Sequence, residues 1–265
     1  MRVSDEALAA ALGGPVERRA WRRSSSAPLE LVTTAARGPF VLKPTTGGTR
    51  PAHAVDPRRE RDAYALLPRD LGAPEPIAAG RGWLLLELVD GVPLAEADEL
   101  AAWEDAARWL ARLHATPAPP APSLVRHDAR HLDAIVRRAL AREPALGRIE
   151  AAAREAAARL AAAPSVLLHG EAYPSNLLVE AGGRIRPVDW ETAGTGAAAL
   201  DLAALTSGAW DPAVRERVVA AYGSSDAEEL DAARLVVALQ WIGWSPEWAP
   251  PPEHRHDWLA EALAR

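Results

Sequence analysis

Apolar residues recur at two periods along this chain, and the dominant period changes near residue 90. Up to that point they fall in short runs near 15–23, 29–35, 39–43, 76–80 and 83–89, bounded by Gly, Pro and Ser. Such runs predict a small antiparallel sheet. Two helical patterns interrupt it. Residues 5–12 end at Gly13-Gly14, and residues 56–67 open on Asp56-Pro57, an N-cap with proline at the first helical position. Ala63, Leu66 and Leu67 form the apolar stripe of this second helix, and Glu60 lies one turn before it. Beyond 90 the helical period dominates. Leu100, Trp103, Ala106, Leu110 and Leu113 mark a helix over 94–116, and a stiff proline-rich connection follows at 117–122. Further helices are predicted over 128–143, 147–163, 197–208, 211–222, 226–243 and 253–264. The pattern predicts an α+β fold with a sheet-rich unit over 1–89 and a mainly helical one over 90–265. There is no internal repeat.

One block breaks the helical run. Val166-Leu167-Leu168 reads as a buried strand that delivers His169-Gly170-Glu171 to its end, and Asn176 follows. Residues 176–180 and 184–189 read as a hairpin closed by Ala181-Gly182-Gly183. A two-residue turn at Gly182-Gly183 places Asn176 opposite Asp189, where an amide and a carboxylate can reach one ion. Oxygen ligands of that kind suit a hard cation such as Mg²⁺, which commonly brings a nucleotide phosphate with it. Read alone, the pair is also consistent with a polar hairpin mouth whose Asn and Asp cap turns.

Composition narrows the field. Lys43, closing the apolar run 39–43, is the only lysine among 30 basic residues. In so arginine-rich a chain, a lysine there points to a need for a compact ammonium. A net charge of −6 and a pI near 5.7 give no global attraction to nucleic acid or to an anionic membrane. Cysteine is absent, which excludes disulfides, thiolate metal sites and a cysteine nucleophile. No apolar stretch is long enough for a membrane span, and the first residues lack a signal-peptide core, so the expected location is the cytoplasm. A monomer or a homodimer is expected.

Together these residues resemble the protein-kinase-like fold in its small-molecule branch, the aminoglycoside phosphotransferase and choline kinase type family. His169-Gly170-Glu171-Ala172-Tyr173-Pro174-Ser175-Asn176 is similar to the family's H-G-D-x-x-x-x-N catalytic loop. Asp189-Trp190-Glu191 resembles its D-W-E or D-F-E, and Asp201-Leu202-Ala203 its D-L-A segment. Arg112-Leu113-His114 is similar to the end of the long helix below the hinge, and Lys43 and Glu60 match the strand lysine and its helix partner. The resemblance covers roughly residues 20 to 245 and implies a two-lobed kinase with a small antiparallel N-lobe and a helical C-lobe. It implies Mg²⁺ and ATP (GTP being possible) as cofactors and a hydroxylated small molecule as acceptor, plausibly an antibiotic or amino sugar, with a role in resistance or biosynthesis. Lys43 would hold the α/β-phosphates and Glu60 would hold Lys43. Asn176 and Asp189 would carry the metal, and Glu171 would orient the attacking hydroxyl and take its proton. Backbone groups from Glu87 to Val89 would meet the adenine edge. His169 and Asp201 would brace the loop.

Two departures matter. Glu171 stands where the family has aspartate, and its extra C–C bond adds roughly 1.5 Å of reach. The glycine-rich phosphate loop is missing. Ser24, Ser25 and Ser26 occupy that turn and could offer hydroxyls and N–H groups to phosphate. Glu171 is also the sole support for a second reading, a nucleotide- or ligand-binding pseudokinase with little turnover. Near the C-terminus Trp244, Glu247 and Trp248 are candidates for the acceptor site, with core packing the plain alternative for the tryptophans. Trp241 reads as core. A protein kinase is a poor third reading, because the segment between Asp189 and Asp201 is far too short for an activation loop.

Overall fold

The computed structural model describes residues 3–23, 28–46, 56–118, 120–244 and 256–264. α1 (Asp5–Leu12) precedes β1 (Glu17–Arg23), β2 (Pro28–Thr33) and β3 (Phe40–Pro44). α2 (Arg59–Leu66), β4 (Pro76–Gly80) and β5 (Trp83–Glu87) complete the N-lobe. The five strands form an antiparallel sheet in the order β1-β2-β3-β5-β4. Strand alternation separates its two faces. Leu42 and Leu85, paired across β3 and β5, face α1 and pack with Leu8, Leu12, Val32 and Phe40. Their neighbours Lys43 and Leu84, also paired, fall on the opposite face, where Leu84 packs with Ala63 and Tyr64 of α2. The same alternation that buries Leu42 under α1 therefore aims Lys43 at α2.

α2 departs from expectation at both ends. Asp56 does not cap it: its carboxylate accepts the Arg58 N–H at 2.9 Å, closing a turn two residues on, and the helix begins at Arg59. The buried stripe is Glu60, Ala63 and Tyr64, at i, i+3 and i+4, whereas Leu66 lies off that stripe and is 41% exposed.

The C-lobe runs through β6 (Gly91–Pro93), α3 (Leu100–Ala115), β7 (Val125–Arg126), α4 (Ala129–Arg142), α5 (Glu150–Ala162) and β8 (Ser165–Leu168). It continues with β9 (Leu177–Glu180), β10 (Ile185–Pro187), β11 (Gly194–Ala197), α6 (Ala199–Leu205), α7 (Pro212–Tyr222), α8 (Ala227–Gly243) and α9 (Trp258–Leu263). α8 is the central helix. Its Leu230, Ala233, Val236, Val237 and Leu239 are buried among α4, α5, α6 and α9. α3 buries Ala106, Trp109, Leu110 and Leu113 beneath the hairpin.

Three strands were not foreseen. β6, β7 and β11 have two to four residues each, too few to show a period. β11 pairs with β8 and β7 where the sequence predicts only a helix from 197. Its glycines permit that fit, since a Cβ on Gly194 would lie 2.4 Å from the Val125 carbonyl oxygen, and one on Gly196 would lie 2.6 Å from the His127 Cβ.

The hairpin register also differs from the expected one. β9 and β10 pair Val179 with Ile185, Leu178 with Arg186 and Leu177 with Pro187. The connection therefore has three residues. Gly183 donates to the Glu180 carbonyl at 3.0 Å across Ala181-Gly182, and Glu180 N–H donates to Arg184 O at 3.0 Å. Both glycines have positive φ, 94° and 83°, as a turn with an extra left-handed residue requires. The slip of one residue sets Asn176 opposite Val188, whose N–H donates to the Asn176 carbonyl at 2.8 Å.

Candidate active site

A period-2 strand would now send Asn176 and Asp189 to opposite faces, but neither residue lies in regular strand. Asn176 ends the 3-10 turn Pro174–Asn176, and Asp189 has φ 67°, a left-handed conformation that no other non-glycine residue among those described adopts. Left-handed backbone costs roughly 1 kcal/mol for a residue with a Cβ and persists where its surroundings fix it. Here the fixing partner is Lys43.

The Lys43 ammonium, 5% exposed, lies 2.7 Å from Glu60 Oε1, 2.5 Å from Asp189 Oδ1 and 3.7 Å from Glu191 Oε2. One cation thus faces three carboxylates from α2 and the Asp189-Trp190-Glu191 segment. Burial disfavours its charge, but Asp189, Glu60 and Glu191 outweigh burial and hold its pKa well above the usual lysine value. The surplus negative charge appears on the other side of the balance. Burial, with Asp189 and Glu191 nearby, pushes Glu60 up to about 7 against the pull of Lys43. Glu60 Oε2 is buried without a hydrogen-bond partner. Oxygen atoms of Glu60, Asp189 and Glu191 lie within 4.8 Å of one another, a hard-donor set of the kind a divalent cation accepts. Asn176 spends its Nδ2 on the Glu171 carbonyl at 2.9 Å, which turns its side-chain oxygen away from that bond.

The loop beneath is fixed from below. Asp201, fully buried on α6, accepts the N–H of His169 at 2.7 Å and of Gly170 at 2.9 Å. Its charge is retained because, although burial raises its pKa, the bond from His114 and these N–H groups lower it further. The His169 ring is buried against Trp190, with centroids 4.4 Å apart, and donates through Nε2 to Val188 O at 3.0 Å. Burial lowers its pKa, so the ring is neutral and faces no open site. Gly170 has φ 86°, and a Cβ there would lie 2.3 Å from Thr192 O. Glu171 follows, half-buried, its carboxyl held well above the usual range by burial and then by Glu191 and Asp189.

The remaining expected residues are placed as follows. Glu87 does not offer its N–H to a ligand: it donates to Glu75 O at 2.9 Å, and its side chain pairs with Arg186 at 2.7 Å. Val89 is buried. Ser24, Ser25, Ser26, Glu247 and Trp248 lie outside the described residues. Trp244 is half-buried at the end of α8.

The sequence pattern did not single out Arg59, whose Nη1 donates to the Glu191 carbonyl at 2.9 Å and Nε to Ser123 O at 2.8 Å. Nor did it reveal a file of rings leading out from the loop. Tyr173 meets Trp241 at 4.9 Å, Trp241 stacks on Trp258 at 5.0 Å, and Trp258 meets His256 at 4.9 Å. The file ends at a cavity of about 810 Å³ lined by Trp210, Arg215, Asp231, Leu235, His256 and Glu261, among others. That volume is in the range of small-molecule sites.

The fold is protein-kinase-like, a small antiparallel sheet above a mainly helical lobe. The chain belongs to the phosphotransferase enzyme family (APH), whose model matches residues 23–236. It is similar in structure to a macrolide 2'-phosphotransferase from Brachybacterium faecium, with 23% identity, 89% of this chain and 90% of that one covered, and TM-score 0.61. An aminoglycoside phosphotransferase from Streptomyces rimosus, solved with ADP and streptomycin, matches at 21% identity over 82% and 91%, TM-score 0.62. A choline kinase from Streptococcus pneumoniae matches at 16% identity over 89% and 88%, TM-score 0.63. No curated protein matches the sequence. Among the described residues no helix is long and apolar enough to cross a membrane.

Proposed function

We propose that this phosphotransferase moves the γ-phosphate of ATP to a hydroxyl of a small natural-product-like molecule. The observation that carries the reading is Lys43 joined at once to Glu60 on α2 and to Asp189, 146 residues later in the chain. That contact closes the N-lobe onto the hairpin and sets an ammonium where nucleotide phosphates can share it. Asn176 and Asp189 would hold Mg²⁺, with Glu191 beside them. When bound, the ion supplies charge neutralisation at the phosphate oxygens. Glu171 orients the acceptor hydroxyl and takes its proton as the oxygen bonds to phosphorus and ADP departs. Burial and then Glu191 and Asp189 raise its pKa, and a cation that neutralises those two carboxylates would lower it again and leave Glu171 ionised to accept the proton. Asp201 holds the two N–H groups that precede it, so the loop need not reorganise.

The acceptor hydroxyl has to lie within hydrogen-bond reach of Glu171. The cavity beyond the ring file has no lining residue from that loop and is separated from it by Tyr173, Trp241 and Trp258, so it is not our candidate for the acceptor site. The structural relatives are a macrolide 2'-phosphotransferase, an aminoglycoside phosphotransferase and a choline kinase, and we extend a small hydroxylated acceptor to this chain. The pseudokinase alternative rests on Glu171 alone. Thermal unfolding with ATP, in the presence and absence of Mg²⁺, tests the nucleotide site. A Mg²⁺-dependent rise that disappears in both Asn176→Ala and Asp189→Ala is expected, and no rise in the wild type would end the reading. Phosphate transfer to a panel of hydroxylated amines then separates kinase from pseudokinase.

A further inference from the structure

Arg186 lies on β10 three residues before Asp189, is 6% exposed, and has no part in the chemistry above. Its Nε donates to Gly72 O at 2.6 Å, one terminal nitrogen to Glu180 Oε1 at 2.5 Å and the other to Glu87 Oε2 at 2.7 Å. The acceptors come from three places: the connection from α2 to β4, the end of β9, and the last residue of β5. Two of them belong to the N-lobe and one to the C-lobe hairpin. The planar fork of a guanidinium can hold three acceptors in fixed directions, which an ammonium cannot do.

A second set of contacts binds the same connection to the C-lobe. The Trp109 indole on α3 donates to Leu71 O at 2.8 Å. Gly72 has φ 78°, and a Cβ there would lie 2.9 Å from Ile185 O, so only glycine lets the connection lie against β10. Two successive carbonyls of the segment that follows α2 are thus fastened to the C-lobe. Glu87, at the start of the crossing between lobes, is held at the same point. Its carboxylate stays charged because Arg186 and the Glu75 N–H outweigh the effect of burial.

We infer that Arg186 is the pin that sets the angle between the lobes, a positioning residue that ties the interlobe strand end and the base of α2 to the hairpin carrying Asp189. Movements that part Glu87 or Gly72 from Arg186 leave unmet N–H groups on a buried guanidinium whose charge Glu180 alone then balances, whereas small rotations about Arg186 keep all three bonds. Lobe closure should therefore pivot here. The inference concerns lobe geometry and stands whether or not the chain transfers phosphate.

Because the protein has no cysteine, Arg81→Cys and Arg142→Cys, exposed on the β4–β5 turn and at the end of α4, place one nitroxide on each lobe. Pulsed electron resonance on the ligand-free protein then reads the interlobe distance. Three backgrounds are compared with the wild type. Glu87→Gln keeps the shape and loses the charge at a half-exposed position. Arg186→Lys keeps the charge and loses the fork. Arg186→Met with Glu87→Gln and Glu180→Gln removes the guanidinium without stranding a carboxylate. A distribution that broadens in Glu87→Gln, and more in whichever Arg186 variants remain folded by circular dichroism, is expected. A Glu87→Gln distribution superimposable on the wild type overturns the inference, even if its melting temperature falls.

Discussion

Glu171 reaches roughly 1.5 Å further than the aspartate it replaces, and a misplacement near 1 Å can cost on the order of 100-fold in rate. Burial, with Glu191 and Asp189 nearby, raises the pKa of Glu171. If the acceptor is set for this reach, Glu171→Ala lowers kcat by about 10²–10⁴-fold. Glu171→Asp also loses activity, and ATP affinity stays constant in both. Single-turnover transfer on one accepted substrate measures this. A gain in Glu171→Asp would favour the pseudokinase. Lys43 permits a second experiment. Its ammonium contacts Glu60 at 2.7 Å and Asp189 at 2.5 Å in a buried slot, which a planar guanidinium cannot fill. Lys43→Arg should therefore behave nearly like Lys43→Ala at saturating ATP. Wild-type turnover in Lys43→Arg would show that any positive charge suffices.

At the scale of elements the loop before Glu171 is held by what its glycine lacks. Gly170→Ala must relieve a contact of 2.3 Å with the Thr192 carbonyl at φ 86°. A loss of about 2–4 kcal/mol in urea unfolding is expected, with the change confined to this loop and the segment after Asp189 in hydrogen exchange. The loop's members were legible because they are close in sequence and each residue type carries its chemistry openly. Lys43 was legible through composition, and Glu60 through its place on a helix. The register was not, because Ala181-Gly182-Gly183 accommodates a two- or a three-residue connection equally well by residue type, and only the packed strands choose. β11 was hidden for a related reason. Gly194-Thr195-Gly196-Ala197 has no apolar alternation, and its strand exists because His127 and Val125 pack where side chains would otherwise stand. The start of α2 misled because Asp56 used its carboxylate in the turn it was expected to end. Arg186 is one arginine among 29 in the sequence, and its three acceptors lie 114, 6 and 99 residues away.

For the whole molecule, one ammonium among three carboxylates makes stability depend on pH. Glu60 has its pKa raised from 4.5 to about 7, by burial first. The folded state therefore binds more protons than the unfolded one between these values. The contribution is full below about 4.5 and is lost as pH rises through about 7. The stability of wild type minus that of Glu60→Gln should decline over this window by at most ~1.4 kcal/mol per pH unit. Urea titrations at four pH values check it, and a flat difference would show that Lys43 fully compensates Glu60. His127 works in the opposite sense. Burial and His131 lower it to about 3, so its contribution is full above 6.5 and lost as pH falls toward 3. The solitary lysine has one more consequence, for handling the protein at the bench. Apart from the chain terminus, Lys43 is the single primary amine in the molecule, and it is enclosed and protonated. An acylating reagent should leave Lys43 of the folded protein untouched and add its increment there, beyond any at the chain terminus, only once the lobes have come apart, so that a mass spectrum counts unfolded molecules directly.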